Sequence, residues 1–189
     1  MKVVLEEEKL TREDLILIYL LMSVDGEVSE EESARFVELL DAYDLKGEKN
    51  SIIGTAQDIL AKLSSSEKDN MESLFALYKE TGMESSLYYL SNEHKRLLLW
   101  AMVNMSFADQ VIAANEKNFL EVIAKEIDCE WSVVEQMLDA AKALYALEVQ
   151  RNWLKTEVSK PYKEIEVLVN ELDKNQEVIK KNIEVLFEV

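Results

Sequence analysis

The sequence holds one cysteine, one proline, one histidine and only four glycines among 189 residues. One cysteine cannot close an internal disulfide, and nothing at the start of the chain reads as a secretory signal, so the expected compartment is the cytoplasm. So few glycines and prolines leave too little turn chemistry for an all-β sandwich or barrel. His94 and Cys129 stand 35 residues apart with no ligand spacing around them, which argues against zinc and other soft-metal sites. The same scarcity nearly excludes serine, cysteine and histidine triads, and no glycine-rich phosphate loop is present. The expectation is therefore a protein that is not an enzyme.

Long apolar runs and positive charge are also in short supply. The longest apolar-rich stretch, Leu15 to Val24, is about half the roughly 20 residues that a membrane-crossing helix needs, so no membrane span is expected. Acidic residues number 38 against 21 basic ones, a net charge of −17, and Lys95-Arg96 and Lys180-Lys181 are only pairs. A surface of that sign repels phosphate backbones, which excludes nucleic acid as a partner.

What the chain has in quantity is helical patterning. Thr11 followed three residues later by Asp14 is a helix start, and dense apolar residues run to Val24 before Asp25-Gly26 stops them. Ser29 and Glu32 form a second capping pair, with Phe36, Leu39, Leu40 and Tyr43 on the inner face. Further helices are expected over Ile52 to Leu63, from Ser66 to about Gly82, and from Asn92 to about Phe107 behind Ser91. Two more carry Phe119 to Ile127 and Trp131 into the 150s. Pro161 suits the first turn of a last helix whose apolar stripe includes Leu168, Leu172, Ile179, Ile183 and Leu186. The expected fold class is all-α: seven to eight helices, two pseudo-symmetric helix-loop-helix halves, and a C-terminal amphipathic helix. His94, near the start of a polar-capped helix, is expected to be exposed.

The acidity is uneven. Residues 1–150 carry 30 acidic and 14 basic side chains, whereas 151–189 carry 8 and 7. That shift marks a domain over 1–150 and a C-terminal extension over 151–189. The extension either packs on the domain or meets a protein partner or a second copy through its last helix. Asn175, in the middle of its stripe, would suit a register-fixing contact.

Displaced by 84 residues, the chain matches itself. Asp25-Gly26-Glu27-Val28-Ser29-Glu30-Glu31-Glu32 falls on Asp109-Gln110-Val111-Ile112-Ala113-Ala114-Asn115-Glu116, and both read Asp-x-x-(Val/Ile)-x-x-x-Glu. Apolar positions follow the same offset, Leu21 with Met105 and Leu39 with Ile123 among them. Two readings of Asp25, Glu32, Asp109 and Glu116 stand side by side. In one, the acids cap helices and shape turns, a role that stabilises by about 1 kcal/mol and needs no ligand. In the other, two loops brought together by pseudo-twofold packing supply four carboxylates, the hard oxygen donors that Ca²⁺, Mg²⁺ or Mn²⁺ prefer. Ala113 offers no side-chain oxygen, so capping accounts less fully for Glu116, unless Asn115 caps in a shifted register.

Ser23 to Glu32 resembles the Ala-Asp-Gly-x-(Val/Ile)-x-x-x-Glu signature of the TerB-like tellurite-resistance family. Ala108 to Glu116, followed by Phe119-Leu120 and Ile123-Ala124, resembles that family's second copy. The likeness covers about residues 10–150, with departures at Val24, Gln110 and Ala113. It implies an all-helical domain of two related halves, a divalent-cation site at Asp25, Glu32, Asp109 and Glu116, and a role in stress or metal resistance without an attached reaction. The alternative is a helical interaction or scaffold module whose acidic motifs are only caps and surface.

Overall fold

In a computed structural model the described residues are 9–26, 28–63, 70–83, 87, 90–108, 112–156 and 161–188. Among them are eight α-helices and no strand: α1 (Arg12–Met22), α2 (Glu30–Ala42), α3 (Lys49–Leu60), α4 (Met71–Glu80), α5 (Asn92–Ser106), α6 (Ala114–Glu126), α7 (Trp131–Thr156) and α8 (Tyr162–Glu188). A single 3₁₀ turn, Lys46–Glu48, leads into α3.

The two most apolar segments take the centre. Eight of the eleven residues of α1 are buried, a pattern that covers every side of the helix rather than one stripe. α5 is enclosed in the same way, with Leu97 to Val103 continuously buried. Removing one such side chain from water is worth roughly 1.5–3 kcal/mol, so these two helices supply much of the drive to fold. The remaining helices are amphipathic and lay one face against this pair: α2 and α3 against α1, α6 and α7 against α5. Tyr19 of α1 meets Phe36 of α2 edge to face at 5.4 Å. α4 fills the space between α3 and α6.

The 84-residue offset is a structural register. α2 and α6 begin and end at matched residues, Glu30 with Ala114 and Ala42 with Glu126. Both close on an aspartate with positive φ, Asp44 at 60° and Asp128 at 56°. The next amide reaches back five residues in each case: Leu45 N–H donates to Leu40 O at 2.9 Å, and Cys129 N–H to Ala124 O at 2.8 Å. This is the left-handed helix terminus that glycine usually occupies, built twice with aspartate. α1 and α5 also end in register, at Met22 and Ser106. The fold thus consists of two pseudo-symmetric halves, with α4 between them in sequence and α8 at the end.

Some boundaries differ from the sequence reading. α3 starts at Lys49, three residues before the first core apolar position, Ile52. Ser66 lies outside the described residues. The described helix α4 is instead capped by Asn70, whose side-chain oxygen accepts the Ser73 N–H at 3.0 Å. As expected, the helix from Trp131 runs into the 150s, as α7, and α8 lies back along α7 and α5. Ile183 and Phe187 of α8 are both 1% exposed and join the main core. No helix among the described residues is long and apolar enough to cross a membrane.

Candidate functional site

The first acidic loop follows directly from the end of α1. Ser23 closes that helix, and Gly26 then takes φ +100°, a conformation that L side chains rarely adopt. The Gly26 N–H donates to Ser23 O at 3.2 Å, which turns the chain and leaves Asp25 exposed. Ser29 then caps α2. Its N–H donates to Glu32 Oε2 at 2.7 Å, while the Glu32 N–H donates to Ser29 Oγ at 3.1 Å. The capping box expected from the Ser29–Glu32 spacing is complete.

The second loop builds the same corner with fewer parts. Ala113 holds the N-cap position in extended conformation and has no side-chain oxygen to offer, yet its N–H donates to Glu116 Oε2 at 2.8 Å. Glu116 therefore makes its half of the box unaided. Asn115 does not cap in a shifted register: its Nδ2 donates to Val24 O, 3.2 Å away in the first loop. That bond fastens the start of α6 to the residue before Asp25. Glu32 and Glu116 are each 4% exposed, so both matched glutamates are buried in the first turns of their helices. Asp109 and Gln110 lie outside the described residues. Among the described residues, no cluster of three or more aspartate, glutamate, histidine or cysteine side chains is arranged to hold a metal.

One polar pair escaped the sequence reading altogether. His94 is 5% exposed, not on the surface, and its Nε2 lies 2.7 Å from Asp14 Oδ2. Asp14 and His94 both occupy the third position of their helices, α1 and α5. The N–H of His94 is capped by Ser91 Oγ at 3.0 Å, and Asp14 Oδ2 also accepts the Thr11 N–H at 2.7 Å. The only available signal was that two capped helices, each entering the core, carry a complementary pair at the same cap position. α5 begins a turn earlier than the register with α1 would require, and that extra turn carries His94 to Asp14.

Nearby ionisable groups feel the same burial. Tyr43 is held above the usual phenol range by burial and then by the negative charge of Asp14. Burial also pushes the Cys129 thiol up, and the positive charges of Arg96 and Lys95 only partly offset it.

The family model for tellurite resistance protein TerB matches residues 13–139, about two-thirds of the chain. The chain belongs to the TerB tellurite-resistance family. The match begins within the first turn of α1 and ends inside α7, so it covers both acidic loops and both halves of the repeat. No curated protein and no solved structure is detectably similar to the chain. Family membership gives the 84-residue repeat a common context: the TerB match takes in both copies of the Asp-x-x-(Val/Ile)-x-x-x-Glu motif.

Proposed function

We propose that this TerB-family protein holds a divalent cation at its paired acidic loops and acts, without catalysing a reaction, in a stress or metal-resistance response in the cytoplasm. The observation that carries this reading is the bond from Asn115 Nδ2 to Val24 O, which fastens the first turn of α6 to the first acidic loop, while Glu32 and Glu116 are both buried. The donor set is made of carboxylate oxygens, the ligand type suited to Ca²⁺, Mg²⁺ or Mn²⁺. Asp25 and Glu32 would hold the ion from the first loop, Asp109 and Glu116 from the second. A non-catalytic role is supported by the two groups that otherwise invite chemistry. His94 is enclosed and engaged with Asp14, and burial pushes the Cys129 thiol up, which disfavours its nucleophilic form.

The second reading is an interaction module whose acids serve as caps and surface. The bonds from the Ser29 and Ala113 amides to Glu32 and Glu116 favour it, because they give each glutamate a structural task. Calorimetry and thermal melts with Ca²⁺, Mn²⁺, Mg²⁺ and Zn²⁺ separate the two. A cation site predicts saturable binding and a raised melting temperature, both lost in the Asp25→Asn/Asp109→Asn double variant. Equal behaviour of the parent and the double variant would remove the cation site and leave the caps.

A further inference from the structure

We propose that the cleft walled by α2, α5 and α7 is a binding site for an apolar carboxylate of small-molecule size. The cleft has a volume of about 480 Å³, within the roughly 300–1,000 Å³ typical of small-molecule sites. It opens beyond the first turn of α2 and does not include the acidic motif residues. The apolar part of its mixed lining is formed by Leu97, Trp100 and Ala101 of α5 with Leu144 of α7. Covering those side chains with an apolar body is favourable.

The charge at the cleft selects the head group. Arg35 lies on its wall and donates from Nη1 to the backbone oxygen of Asn104 at 2.8 Å. Among the described residues no carboxylate forms an ion pair with it, although the chain carries 38 acids. Arg151, also on the wall, is already bonded to Asp173 and Gln176 of α8. Arg35 therefore brings to the cleft a guanidinium without an ion-pair partner, which a single carboxylate engages through charge-assisted hydrogen bonds. Glu38 and Glu148 line the same cleft and are exposed, which disfavours ligands with two or more negative charges. Trp100 lines the cleft and is 2% exposed, so its indole reports on that wall.

Binding of decanoate, decanol and decyltrimethylammonium to the full chain, each below its aggregation concentration, tests the proposal by calorimetry and by the Trp100 indole N–H resonance. Decanoate is expected to bind one to one, about tenfold tighter than decanol, to shift that resonance, and to exceed the ammonium compound by more. Arg35→Gln should bring decanoate down to the affinity of decanol and leave decanol unchanged. Ala101→Leu and Leu144→Trp fill the cleft by different amounts, and whichever folds should lose decanoate binding. No saturable binding, equal affinity for acid and alcohol in the parent, or full binding by a folded, filled variant would each overturn the proposal.

Discussion

Nε2 of His94 lies 2.7 Å from Oδ2 of Asp14, joining the first turns of the two central helices across 80 residues of sequence. Their side chains are 6% and 1% exposed, so water contributes little to either group. Removing one partner leaves the other buried without its bond, and His94→Ala is expected to cost about 3 kcal/mol. A double-mutant cycle with Asp14→Ala, read by urea denaturation, should show a coupling of at least about 1 kcal/mol. Additive losses would mean that the contact is incidental to packing.

The two capping corners differ by one hydroxyl, which gives a paired prediction. Ser29→Ala should lower stability by about 1 kcal/mol, because the Glu32 N–H loses its acceptor. Ala113→Ser should raise it by about 0.5 kcal/mol or more by completing the box that Glu116 half makes. A destabilising Ala113→Ser would show that the second corner has no room for a serine cap.

Asp44 and Asp128 sit at positive φ at the ends of α2 and α6. Left-handed backbone costs a non-glycine residue roughly 1 kcal/mol or more, though aspartate tolerates it better than most. Asp44→Gly and Asp128→Gly should each stabilise by about 0.5–1 kcal/mol in equilibrium unfolding, and by similar amounts, since the two termini share their hydrogen bonds. A loss from either variant would reveal a side-chain role for that aspartate.

Tyr43 favours its neutral form in the folded state, through burial first and the charge of Asp14 second. The folded protein thus holds this proton more tightly than the unfolded chain. The corresponding stability is fully present below the unfolded phenol range, near pH 10, and is lost as pH rises through the higher folded value. Stability measured from pH 8 to 12 should fall more gently in Tyr43→Phe than in the parent. Superimposable alkaline limbs would sink the assignment.

The local chemistry of this fold was legible where it lies within four or five residues. Thr11 with Asp14 and Ser29 with Glu32 announce their helices by spacing, and the apolar density after Asp14 announces a central helix. The repeat was visible as well, although its strongest marks, the aspartates that end α2 and α6, are conformational and carry no motif of their own. His94 was misplaced because its burial depends on which helix lies beside it, and no local pattern encodes that neighbour. The same holds for the Asn115–Val24 bond, which joins residues 91 apart. Arg35 and Trp100 drew no notice because a lone arginine and a core tryptophan look ordinary until α2, α5 and α7 are assembled around one cleft.

The bond between Arg151 and Asp173 has an electrostatic consequence. Asp173 and Gln176 belong to α8, and Arg151 faces the cleft from α7. While α8 is seated, Arg35 is, among the described residues, the cleft guanidinium without an ion-pair partner. Lifting α8 away would release Arg151 from Asp173 without altering any residue that lines the cleft from α2 or α5. The last helix thereby sets the charge balance of a chamber that its own Gln176 helps to line.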